Sequence, residues 1–205
     1  LVDWSTGWWV PLHLLLVGGL LGAISTVTQM LAVTWSASPA PSSAIVVAQR
    51  AGLAVGTILL VAGRESGHDT ALVVGGALVA SSMLGLAAVL WWIRRTAVTR
   101  RFAPAIEGYV VAVGLGTVGM VIGILLGAGW LSSSYERWRD AHLMLNVLGL
   151  VGVVIAATLP YFAATQVRAR MSDRATPAAI RLTIAALAIA TVGGAAGAAG
   201  AVPAL

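Results

Sequence analysis

The chain reads as an all-α protein that crosses a membrane about six times. Its 205 residues are 59% hydrophobic and 9% charged, with a mean hydropathy of +0.95. Soluble domains carry about 25% charged residues, so this chain has too little charge to cover a water-facing surface. Apolar stretches long enough to cross a hydrocarbon core follow one another along the sequence, parted by short polar loops. A core about 30 Å thick needs about 20 residues of helix. A helix satisfies its own backbone groups there, which lipid cannot do.

The first segment runs from about residue 8 to 35 and is closed by the Ser/Pro turn SASPAPSS. The second, about 44–62, ends at the polar loop RESGHD, and the third spans about 70–93. The basic loop RRTAVTRRFAP leads to the fourth, about 106–130, which the loop SSSYERWRD closes. The fifth spans about 141–164, and after QVRARMSDRATP the sixth runs over about 178–200. Trp8, Trp9, Trp35, Trp91, Trp92 and Trp130 fall at segment ends, where amphipathic rings settle at the headgroup level. The length suits one transmembrane domain over residues 1–205 and leaves no room for a second folded unit. The first apolar stretch is too long for a signal-peptide core and lacks a basic flank, so no signal peptide is expected.

All 12 basic residues are arginines, and the formal net charge is +5. They form no basic stripe and accompany no base-stacking motif, so nucleic acid is not an expected partner. Arg94, Arg95, Arg100 and Arg101 follow the third segment; Arg168, Arg170, Arg174 and Arg181 follow the fifth. These loops share one side of an even-numbered bundle. The opposite loops carry Arg64, Arg137 and Arg139, the last two diluted by Glu136 and Asp140. Positive-inside bias makes the rich loops cytoplasmic and both termini external, an N-out/C-out topology. The Ser/Pro turn, on the cytoplasmic side, has no arginine.

Gly119, Gly123 and Gly127 recur every four residues, and Gly18/Gly22, Gly52/Gly56 and Gly193/Gly197 are similar pairs. Such ridges let helices approach closely; the other reading is a flat cofactor against glycine. No repeat relates the two halves.

Ionisable residues inside apolar segments are the lead to function. His13 and His142 each lie near the outer end of a predicted helix, and His68 lies in an outer loop. Imidazole is a common metal ligand and also binds haem iron, though a histidine at a helix end can simply hydrogen-bond at the interface. Asn146, Gly149, Val153, Ala156 and Pro160 continue from His142 along one stripe at 100° per residue. That stripe faces the bundle interior, with Asn146 either supporting a ligand or bonding between helices. Toward the cytoplasmic side, Gln29, Gln49, Arg50 and Glu107 form a second polar group, with Arg50–Glu107 the expected ion pair. Its roles range from structural pairing to a proton path or a propionate anchor. With no cysteine, disulfides, thiolate metal sites, iron–sulfur clusters and covalent c-type haem are excluded. There is no phosphate-binding Gly-rich loop, HExxH, serine elbow or acidic ring.

The stretch AHLMLNVLGLVGVVIAATLPYF, Ala141 to Phe162, resembles an AHxxxNxxGxxGxxIxGTL pattern of haem-copper-oxidase-like membrane proteins. More closely, it is similar to the membrane half of bacterial membrane-bound multicopper oxidases of the nitrite-reductase type. The opening WVPLHLLLVGGLLGAIS resembles that family's first helix, and the order of His helix, arginine-rich loop, GYVVAVGLG helix and AHLMLN helix agrees. The resemblance covers about residues 8 to 171 and is specific only at the two histidine motifs. Family members carry more histidines in the first helix, where this chain has Ser25, Thr28 and Gln29, and no soluble copper-oxidase domain is in the sequence.

The resemblance implies a bacterial cell-membrane protein with His13 and His142 as ligands of haem b or copper. Asn146 would support them, and Arg50 with Glu107 would be a buried accessory pair. An extracytoplasmic copper-oxidase domain, another redox partner or a second copy would be its partners. Two other classes stay open. One is a cofactor-free structural or assembly subunit packed through its glycine ridges. The other is a small-solute transporter or channel, which sparse midplane charge and the lack of an inverted repeat disfavour.

Overall fold

The structure, a computed structural model, describes residues 6–168 and 170–200. Six helices are long and apolar enough to cross a membrane: α1 Trp9–Ser36, α2 Ser43–Ser66, α3 Asp69–Thr96, α4 Ala103–Gly127, α5 Ser132–Gln166 and α6 Pro177–Ala198. No strand occurs among the described residues. The protein is a multi-pass helical membrane protein, and the side chains it exposes fit a lipid environment. Val27, Met30, Ile58, Leu84, Val118, Ile155, Leu159, Leu182 and Ile189 all face outward, a surface that a bilayer covers and water would not tolerate.

Local chemistry sets the boundaries. The Ser42 hydroxyl accepts from Ile45 N at 3.4 Å and caps α2, and Thr176 Oγ1 accepts from Ala179 N at 3.1 Å and caps α6, whose first residue is Pro177. Gly67 ends α2 at φ +71°, in the left-handed region that glycine enters without strain. Only Gly67 and His68 separate α2 from α3, so the two form a tight antiparallel hairpin. Their backbones nearly touch: a Cβ built on Gly75 would lie 2.2 Å from Leu60 N and 2.7 Å from Gly56 O. Close approach is thus the role of Gly56, whereas Gly22, Gly193 and Gly197 have nothing within 4 Å of an added Cβ.

The central pair is α3 and α4. The hairpin partner α2 and most of α1 pack on α3, while α5 packs on α4 and α6 lies mainly against α5, with a smaller contact to α4. Met83, Leu86, Leu90, Ile93, Ile106, Tyr109 and Val113 fill the centre and are fully or almost fully buried. Between α1, α2 and α3 lies a buried polar knot. Ser25 Oγ donates to Gln49 Oε1 at 2.9 Å, Gln29 Nε2 donates to Ser25 O at 3.1 Å, and Gln49 Nε2 donates to Ser82 O at 3.3 Å. No described buried side-chain polar atom lacks a partner, so this knot holds helices together.

Two features depart from the sequence expectation. The run SSSYERWRD is not a loop: α5 is α-helical from Tyr135, with Glu136 and Arg139 paired at i,i+3. Its charges lowered the hydropathy but not the helix propensity. Within two spans the helix is also underwound to π geometry, over Leu14–Leu20 in α1 and Leu145–Gly152 in α5. The wider turn rotates α5 below it. The buried line there runs Gly149, Val153, Ala157 and Tyr161, one residue past the expected Ala156 and Pro160.

Candidate functional site: a two-histidine cavity

Each π segment begins just after a candidate histidine, one residue on from His13 and three on from His142. Such departures inside α-helices gather at functional sites. The two histidines come from spans far apart in sequence, yet both line one cavity of about 320 Å³. Trp9, Arg64, Met120, Gly123, Tyr135 and Arg139 also line it. It sits at the bundle end that holds the start of α1, the end of α4 and the α2–α3 turn.

The two rings are fixed in the same way. His13 Nδ1 lies 2.8 Å from Trp9 O, and His142 Nδ1 lies 2.7 Å from Gly119 O. A carbonyl only accepts, so each Nδ1 carries the proton and donates. Each Nε2 is left with its lone pair free, which is the tautomer that ligates a metal. Trp9 adds a second restraint, because its ring stacks on that of His13 with centroids 3.8 Å apart and planes 18° apart. The Arg64 guanidinium lies over Trp9 at 5.8 Å and donates to Gly127 O at 3.2 Å.

His142 depends on the glycine ridge. A Cβ on Gly123 would lie 2.6 Å from His142 Cε1, and one on Gly119 would lie 2.4 Å from Asn146 Nδ2. The ridge therefore receives the His142 and Asn146 side chains. Asn146 Nδ2 donates to His142 O at 2.8 Å. With His142 Nδ1 protonated, the 3.3 Å approach of the same amide nitrogen to Nδ1 is a contact between two donors. Asn146 thus braces the backbone of the turn that carries His142.

The expected Arg50–Glu107 pair does not form. Glu107 Oε1 accepts from Arg94 Nε at 2.9 Å and Nη2 at 2.8 Å, and Glu107 Oε2 accepts from Arg181 Nε at 2.7 Å. Arg50 is exposed on α2, and α3 stands between α2 and α4. Glu107 lies in the first two turns of α4 and Gly123 in the last two. Sixteen residues at 1.5 Å each put them about 24 Å apart, so neither Arg50 nor Glu107 belongs to the histidine cavity. His68 is exposed, with Nδ1 2.9 Å from Ser66 Oγ, and does not line the cavity.

Sequence reading missed Trp9 as a stacking partner and Arg64, Tyr135 and Arg139 as lining residues. The i,i+4 spacing of Trp9 and His13 was the available signal. For the other three, helix had to be assigned to a charged run or a loop read as the rim of a cavity. Among the described residues no group of three or more His, Asp or Glu side chains could hold a metal ion. The protein's own donor set is two imidazoles. No known protein family, curated protein or solved structure matches the chain.

Proposed function

We propose that this protein is a membrane domain that holds a redox metal, as haem b or as copper, between His13 and His142 and takes part in electron transfer. One observation carries the reading: both histidines line one cavity, with each Nδ1 tied to a backbone carbonyl and each Nε2 free. The donor set favours haem b. Two imidazoles, His13 and His142, would be enough to hold a haem, whereas a protein-only copper site usually draws on more side chains. The group, when bound, supplies one-electron chemistry. The chain's residues orient it. Trp9 and Gly119 fix the rings, Asn146 braces the His142 turn, and Arg64 supplies positive charge for a carboxylate at the rim, Arg139 being paired with Glu136 and Asp140.

The arginine-rich end is cytoplasmic in this reading, which places the cavity near the outer face of a bacterial-type cell membrane. An extracytoplasmic copper-oxidase domain or another redox protein would be its partner. A second reading, a cofactor-free assembly subunit, is favoured by Gly193 and Gly197, whose faces on α6 meet nothing within 4 Å.

The test is an absorption spectrum of detergent-purified protein, oxidised and then dithionite-reduced, with metal analysis of the same sample. Expression is supplemented with haem precursor and copper. A Soret band that shifts on reduction supports haem b, and stoichiometric copper without it supports a copper centre. A featureless spectrum without metal sinks the redox reading and leaves the assembly subunit.

A further inference from the structure

At the end of the bundle opposite the histidines, Arg101, Phe102, Tyr161, Thr165, Arg170 and Met171 line a half-open cavity of about 530 Å³. Its walls are fixed by the chain itself. Tyr161 OH donates to Arg101 O at 3.3 Å, and Thr165 Oγ1 donates to Tyr161 O at 2.9 Å. Tyr161, Phe102 and Trp35 pack as one aromatic cluster, with centroids 5.1 to 5.8 Å apart. The Arg101 guanidinium lies over Phe102 at 5.4 Å. Arg101 and Arg170 come from different loops, yet both face this space. Neither has an acidic partner among the described residues. Eight of the 12 arginines lie in this end's loops and helix ends, against only Glu107 and Asp173, and Glu107 is already shared by Arg94 and Arg181.

We propose that this cavity binds a phosphate anion between Arg101 and Arg170, presented by the headgroup of an acidic phospholipid. Guanidinium forks match phosphate oxygens in geometry and charge. Two of them facing one cavity without a carboxylate repel each other until an anion enters. The aromatic wall marks the membrane interface, where basic pockets between helices take lipid headgroups. Phosphate free in solution offers the same chemistry, and the test separates the two sources.

The test is native mass spectrometry of the full chain released from nanodiscs of phosphatidylcholine with or without phosphatidylglycerol. It is run on wild type, R101Q/R170Q and R100Q/R174Q, and inorganic phosphate is titrated in parallel. The control pair removes the same charge from the same loops without touching the cavity. Wild type and R100Q/R174Q are expected to retain one phosphatidylglycerol in preference to phosphatidylcholine. Binding to R101Q/R170Q should be roughly 30-fold weaker, the effect of two interfacial arginines. Phosphate binding that needs Arg101 and Arg170, without lipid retention, keeps the anion site and makes its ligand a free solute. Equal losses in both double variants, or no preference for either phosphate source, overturn the proposal. Melting temperatures of both variants within a few degrees of wild type show that binding, not folding, is being read.

Discussion

Gly123→Ala tests how the histidine cavity is built. The added Cβ would lie 2.6 Å from His142 Cε1 and 2.9 Å from Nδ1. Ordinary carbon contact begins near 3.4 Å, so the ring must retreat by about 0.8 Å or the helices must part. A retreat of that size takes the 2.7 Å bond from His142 Nδ1 to Gly119 O to about 3.5 Å, the limit of a useful hydrogen bond. The ring then loses both its orientation and the restraint on its tautomer. Loss of such a supporting partner typically lowers metal affinity about 10- to 100-fold. The overpacked interface itself destabilises by about 1–3 kcal/mol. Gly114→Ala is the matched control, since it lies on the same helix with nothing within 4 Å of an added Cβ. The assay is cofactor retained per chain across a competing-chelator or apo-haem-acceptor titration, beside a melting curve for each variant. Unchanged affinity in Gly123→Ala, or equal loss in Gly114→Ala, refutes the reasoning.

Other substitutions probe the rest of the account. Trp9→Leu removes the ring stacked on His13 but keeps the backbone carbonyl, so cofactor affinity should fall about 2- to 10-fold; an equilibrium titration reads this. Glu107→Gln leaves Arg94 and Arg181 facing each other without a shared carboxylate. Discounted for the partial exposure of all three, it should destabilise by about 1–2 kcal/mol in a detergent melt and leave any cofactor spectrum unchanged. Arg50→Gln, at an exposed position, should stay within about 0.5 kcal/mol in the same melt. Gly75→Ala pushes a methyl against Leu60 N and Gly56 O, backbone atoms that cannot move aside. It should lower the melting temperature far more than Gly22→Ala, where the space is open, at about 2 kcal/mol or more against nearly none.

The spans were legible because lipid imposes a length and a polarity that any hydropathy pattern reveals. The structure moves their ends by a few residues, except at α5, which starts near Tyr135 because its charged first turns extend past the apolar stretch. Pairing His13 with His142 on one bundle end followed from the even alternation of the spans, and the cavity brings both onto its lining. What sequence could not give is rotation about each helix axis. The Arg50–Glu107 expectation matched two charges by depth alone, and α3 stands between them. In the sequence Arg94 and Arg181 read as topology signals, although both lie within a turn or two of helix ends at the level of Glu107. The π turns were invisible as well, since their extra residue per turn leaves no mark in composition. They shift the buried line of α5 from Ala156 and Pro160 to Ala157 and Tyr161.

The central claim is that His13 and His142 together hold one redox group. Its most direct test is cofactor content per chain in wild type, H13A, H142A, the double variant and H68A, all expressed with haem precursor and copper supplied. One cofactor in wild type and in H68A, less in each single variant and none in the folded double variant is the expected result. A double variant that keeps its full cofactor, or a wild type that never acquires one, would contradict the claim.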